Sequence, residues 1–280
     1  TTFMKNLKTP LRYPGGKSRA VTKMSQVMPD LSNYLEYREP FLGGGSVALW
    51  VTKQYPDISV WVNDLYEPLY NFWTHLQLCG DVMQERLTDL KNKHPDRDSA
   101  RELFVESKET ITDKTKSGLD KAILFYILNK CSFSGLSEAS SFSAQASESN
   151  FSMNGIGKLS DYMGLIKEWK ITNLSYEELL GDDQMDEGAF VYLDPPYEIG
   201  SNLYGKKGSM HKYFMHGKFA KACEATNHDC MVSYNSSQLV RDRFSTWKAV
   251  EYDHTYTMRS TTTYTKAQKD RKELVLLNYA

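Results

Sequence analysis

Short apolar runs that stop at glycine, proline or asparagine dominate both ends of this chain, while its middle carries longer amphipathic stretches. Tyr34 to Phe41, Ile58 to Val62, Trp169 to Asn173, Phe190 to Leu193 and Cys230 to Tyr234 have the length and the β-branched or aromatic content of strands. Helices are expected from Ser18 to Met28, where Pro29 stops the pattern, and from Ser46 to about Gln54. Further helices fit Glu67 to Leu78, Phe219 to Thr226 and Ser237 to Phe244. Strand–helix–strand–helix order at the start implies parallel strands and an α/β fold. Trp247 to Tyr256 and Glu273 to Tyr279 alternate like two paired strands.

The middle differs in kind. Asp81 to about Tyr126 reads as helical with a polar break at Thr112 to Gly118. Ser132 to Ser160 is rich in serine, glycine and asparagine, with Phe133, Phe142 and Phe151 set among them. The isolated aromatics favour a hairpin or loop lobe with a small core over a disordered linker. Gly200 to Gly217 is a long glycine-, lysine- and histidine-bearing loop, a candidate lid or substrate contact.

Composition narrows the class. The chain has 280 residues, 40% hydrophobic and 25% charged, enough for one α/β core with an inserted lobe. Its net charge of −1 means that any nucleic-acid site is a local basic surface on a near-neutral body. No apolar run reaches membrane-spanning length, and Thr1 to Pro10 lacks the apolar centre of a signal peptide. The four cysteines form no CxxC pair, and the spacing of Cys223, His228 and Cys230 fits no common zinc pattern. A reduced, cytoplasmic, metal-free protein is expected.

Candidate chemistry gathers at strand ends. Phe190 to Leu193 stops at Asp194-Pro195-Pro196-Tyr197, which places a carboxylate, a backbone carbonyl and an aromatic ring where open α/β sheets put their chemistry. Together these groups suit a planar amine: two acceptors for its protons and one ring for its face. The same residues also fit a Pro-Pro turn headed by an N-cap aspartate. Pro40-Phe41-Leu42-Gly43-Gly44-Gly45-Ser46 is a strand-to-helix turn whose glycines permit close backbone approach to a ligand. It is not the full G-x-G-x-x-G pattern, so a dinucleotide dehydrogenase is not supported. Asp64, at the end of the next strand, stands where a carboxylate can accept both hydroxyls of a ribose, and the pair favours a nucleoside-bearing cofactor. Lys17, after Gly15-Gly16, opposes the dipole of the helix it opens and hints at a partner carboxylate, though it also fits a solvated position.

Tyr13-Pro-Gly-Gly-Lys17, Pro40 to Ser46, Asn63-Asp64 and Asp194 to Tyr197 follow one another in an order that resembles the Dam-type (D12 class) N6-adenine DNA methyltransferases. The likeness extends to Ser233-Tyr-Asn235-Ser-Ser237 and to Lys269 through Tyr279. It implies a Rossmann-like seven-stranded methyltransferase sheet with an inserted helical or hairpin target-recognition domain. Residues 1–80 and 165–280 would form the catalytic domain, and residues 81–164 the insert. The implied activity is transfer of a methyl group from S-adenosyl-L-methionine to N6 of an adenine flipped out of duplex DNA. No metal is required, and the expected state is a monomer. By motif, Asp194, Pro195, Pro196 and Tyr197 would be catalytic. Tyr13, Gly16, Lys17, Phe41, Gly43, Gly45, Asp64 and Asp194 would hold the cofactor.

DNA contacts are expected from Asn129, Phe133, Ser134 and Glu138 in the insert. Lys206, Lys207 and Lys212, with Lys266, Lys269, Arg271 and Lys272, are phosphate-contact candidates that also fit solvated surface. One departure bears on the target. Dam-like enzymes that read GATC carry a guanine-contacting arginine about where Glu138 stands, after Phe133-Ser-Gly-Leu136. An acid cannot donate to guanine O6 or N7 and suits cytosine N4 instead, so a target other than GATC is expected. Alternatives are an N4-cytosine or RNA adenine methyltransferase, or a non-catalytic DNA-binding protein on the same fold.

Overall fold

The computed structural model describes residues 7–13, 21, 24–133, 135, 140–181, 188–198, 214–253 and 272–279. Its centre is a seven-stranded sheet: β1 (Glu36–Glu39), β2 (Ser59–Asn63), β3 (Lys170–Thr172), β4 (Phe190–Leu193), β5 (Asp229–Asn235), β6 (Lys248–Asp253) and β7 (Lys272–Leu277). Their order is β3-β2-β1-β4-β5-β7-β6. β1 to β5 run parallel, and β7 lies antiparallel between β5 and β6. The chain winds outward from β1 on one side and from β4 on the other. The crevice between their carboxyl ends is therefore the switch point at which such sheets bind ligands. The sheet of the Rossmann-like methyltransferase fold is present, and the two terminal strands pair as their alternation predicts.

Burial explains the strand pattern. All four residues of β4 are buried, as a central parallel strand with helices on both faces requires. β1 reads Glu-Tyr-Arg-Glu, yet Tyr37, Arg38 and Glu39 are buried too. The Arg38 guanidinium is accommodated by Glu36 at 2.5 Å, the Leu179 carbonyl at 2.9 Å and the face of Trp61 at 4.8 Å.

Helix α1 (Ser46–Gln54) follows β1, and α2 (Glu67–Lys93) follows β2. α2 joins the helix expected from Glu67 to the one expected after Asp81, with a kink at Cys79 (φ −150°, ψ 39°). At Gly80 a Cβ would lie 2.9 Å from the Leu159 carbonyl, so glycine allows the close crossing there. α3 (Arg97–Thr110) and α4 (Gly118–Cys131) flank the predicted polar break. Three short helices follow: α5 (Ala144–Ser149), α6 (Met153–Ile156) and α7 (Leu159–Leu165). α8 (Tyr176–Leu180), α9 (His216–Ala225) and α10 (Gln238–Arg243) cover the remaining sheet.

The lobe at 132–160 is more helical than its composition predicts. Among the described residues, pairing there is a single antiparallel bridge, Ser132 to Phe142. The serines act as helix caps: Ser143 and Ser152 accept from the amides of Ala146 and Gly155. Phe142 packs on Phe104 at 5.6 Å, and Phe151 is fully buried. Leu103, Phe104, Phe125 and Phe151 belong to the same buried cluster as Tyr37, Val60 and Val62 of the sheet. Residues 18–20, 22 and 23 of the helix expected over 18–28, and the loop at 200–213, lie outside the described residues; Val21, Met24 and Ser25 are helical.

Candidate active site

The glycine turn after β1 is shaped from both sides. Gly43 and Gly45 have φ +54° and +76°, the left-handed region that glycine enters without strain. Below, Trp73 Nε1 donates to the Gly43 carbonyl at 3.0 Å, and its ring lies 2.7 Å from where a Gly45 Cβ would sit. Above, the Tyr13 ring lies 2.8 Å from a Gly43 Cβ position, and the Thr9 hydroxyl donates to the Gly44 carbonyl at 2.6 Å. Conformation and contact both demand glycine, and the turn delivers α1 with its amide end toward the crevice.

Asp64 underpins that turn. Its Oδ2 accepts from the Gly43 amide at 3.0 Å and its Oδ1 from the Tyr66 amide at 3.0 Å. Burial pushes its carboxyl up to about 6, against those backbone hydrogen bonds. Each carboxylate oxygen has a second lone pair, so two amides do not exhaust its acceptor capacity.

Asn63 performs a task that the sequence reading missed. It is buried, with Nδ2 donating to the carbonyls of Pro40 (3.1 Å) and Leu174 (2.9 Å). Its Oδ1 accepts from the Leu174 amide (2.8 Å) and the Thr172 hydroxyl (2.7 Å). The ends of β1, β2 and β3 are thereby locked around one amide. A polar residue just before Asp64 was the available signal.

Asp194, half-buried at the end of β4, shares the crevice with Glu39 of β1. Burial pushes the Glu39 carboxyl well above the ordinary range; the Tyr37 hydroxyl that donates to it opposes this, and the nearby Asp194 and Asp64 charges add to it. Three carboxyl groups from adjacent strands thus face one region. Pro195 is buried, and Pro196 and Tyr197 are half-buried. The Tyr197 hydroxyl donates to Glu273 of β7, and the Glu198 amide donates to Asn235 Oδ1 at 3.0 Å.

Phe41 joins an aromatic cluster with Tyr176, Phe214 and Phe219, at ring separations of 5.6, 5.8 and 5.8 Å. His216 Nδ1 and the Tyr234 hydroxyl share a hydrogen bond of 2.6 Å alongside. Tyr176 and Phe214 come from segments without recognisable motifs, and only folding brings them to Phe41.

Asn129, an expected DNA contact, lies at the end of α4. Asn129 is buried, and its side chain is committed to backbone: it accepts from the Arg12 amide (2.9 Å) and donates to the carbonyls of Arg12 (2.6 Å) and Gly135 (2.8 Å). These bonds clamp the backbone at Arg12 and Gly135 to α4. Arg12 Nη1 also reaches the Ser132 carbonyl at 2.7 Å, so the lobe is tied to the residue beside Tyr13. Phe133 is 48% exposed. Lys130 has no acidic partner among the described residues, and its amine is pushed down to about 8, first by burial and then by Arg12 and Lys158. Lys272 is exposed, 3.8 Å from the Glu251 carboxylate. Gly16, Lys17, Ser134, Glu138, Lys206, Lys207, Lys212, Lys266, Lys269 and Arg271 lie outside the described residues.

The histidine weighed with Cys223 and Cys230 is occupied by backbone. His228 Nδ1 accepts from the Ala189 amide at 2.8 Å, and Nε2 lies 3.1 Å from the Gly181 carbonyl. Among the described residues no three His, Cys, Asp or Glu side chains form a metal-holding group, and no helix is long and apolar enough to cross a membrane.

A seven-stranded sheet with β7 inserted antiparallel, a glycine turn after β1 and an acid after β2 together define an α/β methyltransferase. The family model for D12 class N6 adenine-specific DNA methyltransferases matches residues 13–258, and the chain belongs to that family. Similar proteins include the type II methyltransferase M.MjaIII of Methanocaldococcus jannaschii, 26% identical over 200 residues, 67% of this chain and 68% of that protein. The type II methyltransferase M.CviBI of Paramecium bursaria Chlorella virus NC1A is 22% identical over 288 residues, 98% of this chain and 100% of that protein. The type II methyltransferase M1.LlaDCHI of Lactococcus lactis subsp. cremoris is 23% identical over 202 residues, covering 69% and 66%. The protein is a site-specific DNA methyltransferase of a kind that generally uses S-adenosylmethionine.

Proposed function

We propose that this enzyme methylates N6 of an adenine flipped out of duplex DNA, with its chemical centre at Asp194. The observation that carries this reading is the meeting of two independent motifs at one switch point: the glycine turn with Asp64, and the strand end with Asp194. The donor set fits S-adenosylmethionine. Asp64 retains acceptor capacity for a ribose diol, the Tyr13 ring packs on the glycine turn beside it, and Phe41 offers an aromatic face. The Asp64 and Asp194 carboxylates suit a cationic ligand. When bound, that cofactor supplies an already activated methyl group.

The remaining work falls to residues of this chain. An adenine amine is a poor nucleophile because its lone pair is delocalised into the ring. Asp194 and the Pro195 carbonyl would accept its two protons, favouring a tetrahedral nitrogen with its lone pair directed outward. Tyr197 would stack on the base. As the nitrogen–carbon bond forms and the sulfur–carbon bond breaks, positive charge on N6 meets preorganised negative groups, and the nitrogen then loses a proton toward Asp194 and solvent.

Residues 81–164 are proposed to recognise the target, with Phe133 as a wedge into the distorted duplex and Lys130, Arg12 and Lys158 facing phosphate. Glu138 supports a target other than GATC. Sequencing that maps methylated positions in plasmid DNA tests this; a strict GATC pattern unchanged in Glu138→Ala would remove that residue as a reader. The enzyme is proposed to act as a monomer in the cytoplasm. Family membership favours adenine in DNA over N4 of cytosine or RNA. Incubation of duplex DNA with labelled donor, followed by nucleoside analysis, separates these: N6-methyladenosine as the deoxynucleoside is expected, and labelled N4-methylcytosine or no product would refute the assignment.

A further inference from the structure

Glu273 is buried near the start of an apolar strand, where a carboxylate is costly unless it is hydrogen-bonded. The Tyr197 hydroxyl, 76 residues earlier in the chain, donates to it. In the β5–β7 register Glu273 lies opposite Asn235, whose side chain takes the amide of the very next residue, Glu198. Arg243 of α10 in turn pairs with the Glu198 carboxylate. One cross-strand pair and one helix residue therefore grip two consecutive residues directly after the prolines.

We infer that Glu273 is a positioning residue for methyl transfer, holding the Tyr197 ring in its base-stacking orientation through the phenol. This rests on the reading of Tyr197 as the ring that stacks on the flipped base. A tyrosine side chain has two rotatable bonds ahead of its ring, and a charge-assisted hydrogen bond at the far end restrains both. Donation to a carboxylate also enriches the ring in electrons. Its face then attracts more strongly the positive charge that develops on N6. A carboxylate that only satisfied a buried phenol would affect stability, without linking its effect on rate to the hydroxyl.

The test is a double-mutant cycle read by single-turnover methylation of duplex DNA at saturating enzyme and donor. Tyr197→Phe removes only the hydroxyl, Glu273→Leu removes the acceptor, and Glu273→Gln retains an acceptor oxygen. Tyr197→Phe and Glu273→Leu are each expected to slow methyl transfer about tenfold, the loss of one strong hydrogen bond. The double variant should be within about twofold of the slower single, and Glu273→Gln should recover most of the rate. Donor affinity should not change, and thermal melting with donor checks folding. Additive losses would overturn the inference. So would a wild-type rate in Tyr197→Phe while Tyr197→Ala is inactive, an outcome that leaves the stacking role of Tyr197 standing. A wild-type rate in Tyr197→Ala would sink that role and the inference together.

Discussion

Donor binding should weaken in mild acid because of Asp64. Its carboxyl is pushed up to about 6 by burial beneath the glycine turn, from an ordinary value of 3.8. At pH 5, one unit below that value, only about one molecule in eleven carries the charged form. In the proposed binding mode a ribose diol donates two hydrogen bonds to the carboxylate, and a neutral carboxyl accepts them less well. Nucleoside affinity should therefore fall by up to about tenfold between pH 8 and pH 5, equivalent to about 1.4 kcal/mol. The stability effect has the opposite sign. A carboxyl raised in the folded state binds its proton more tightly than in the unfolded chain, so this group costs stability above pH 6 and the cost disappears as pH falls toward 4. Weaker binding at pH 5 should thus not reflect unfolding at this position. Calorimetry with 5′-methylthioadenosine isolates the effect, since it carries the nucleoside without the amino-acid groups of the full donor. Asp64→Asn should bind about ten- to a hundredfold more weakly at pH 8 and show no acid limb. A flat profile in the native enzyme, or an acid limb that persists in Asp64→Asn, would refute the reasoning.

Three further outcomes follow from single contacts. Gly45→Ala sets a Cβ 2.7 Å from the Trp73 ring at φ +76° and should cost roughly 1–3 kcal/mol in chemical denaturation, whereas an unchanged midpoint would show that the turn relaxes freely. Asn129→Ala strands the Arg12 amide and two carbonyls, so roughly 2–3 kcal/mol of stability should be lost, with a smaller loss indicating that water replaces the clamp. Lys130→Met should do two opposite things. The amine is depressed to about 8, so its charge costs stability below pH 8 and that cost fades as pH rises toward 10. The variant should melt higher at pH 7, by roughly 1–2 kcal/mol, and gain little at pH 10. If Lys130 faces phosphate, DNA affinity should fall and the salt slope should shrink by about one; unchanged affinity would remove it from the interface.

Strand positions were legible because a buried parallel strand leaves a compact apolar run with an abrupt stop. Phe190 to Leu193 before Asp194 is the clearest case. The places of Asp64 and the glycine turn were legible for a related reason: each follows an apolar run whose abrupt stop marks the end of a strand. Two kinds of feature were not. Buried asparagines and serines look like ligand contacts or linker in a sequence, yet Asn63, Asn129, Ser143 and Ser152 spend their polar atoms on neighbouring backbone. Long-range partners leave no local trace at all. Nothing near Tyr197 announces Glu273, and nothing near Phe41 announces Tyr176 and Phe214, because those contacts exist only once β7 enters the sheet and α8 and α9 close over it.

In the proposed reaction the Asp194 carboxylate acts on the amine of the target base. Single-turnover methylation by Asp194→Ala and Asp194→Asn, each shown by melting to be folded and by calorimetry to bind donor, tests it directly. The alanine variant should lose methyl transfer by at least about a hundredfold while duplex binding persists, and the asparagine variant, which keeps one acceptor oxygen, should be less impaired. A folded, donor-bound Asp194→Ala enzyme that methylated DNA at near-native rate would contradict the account.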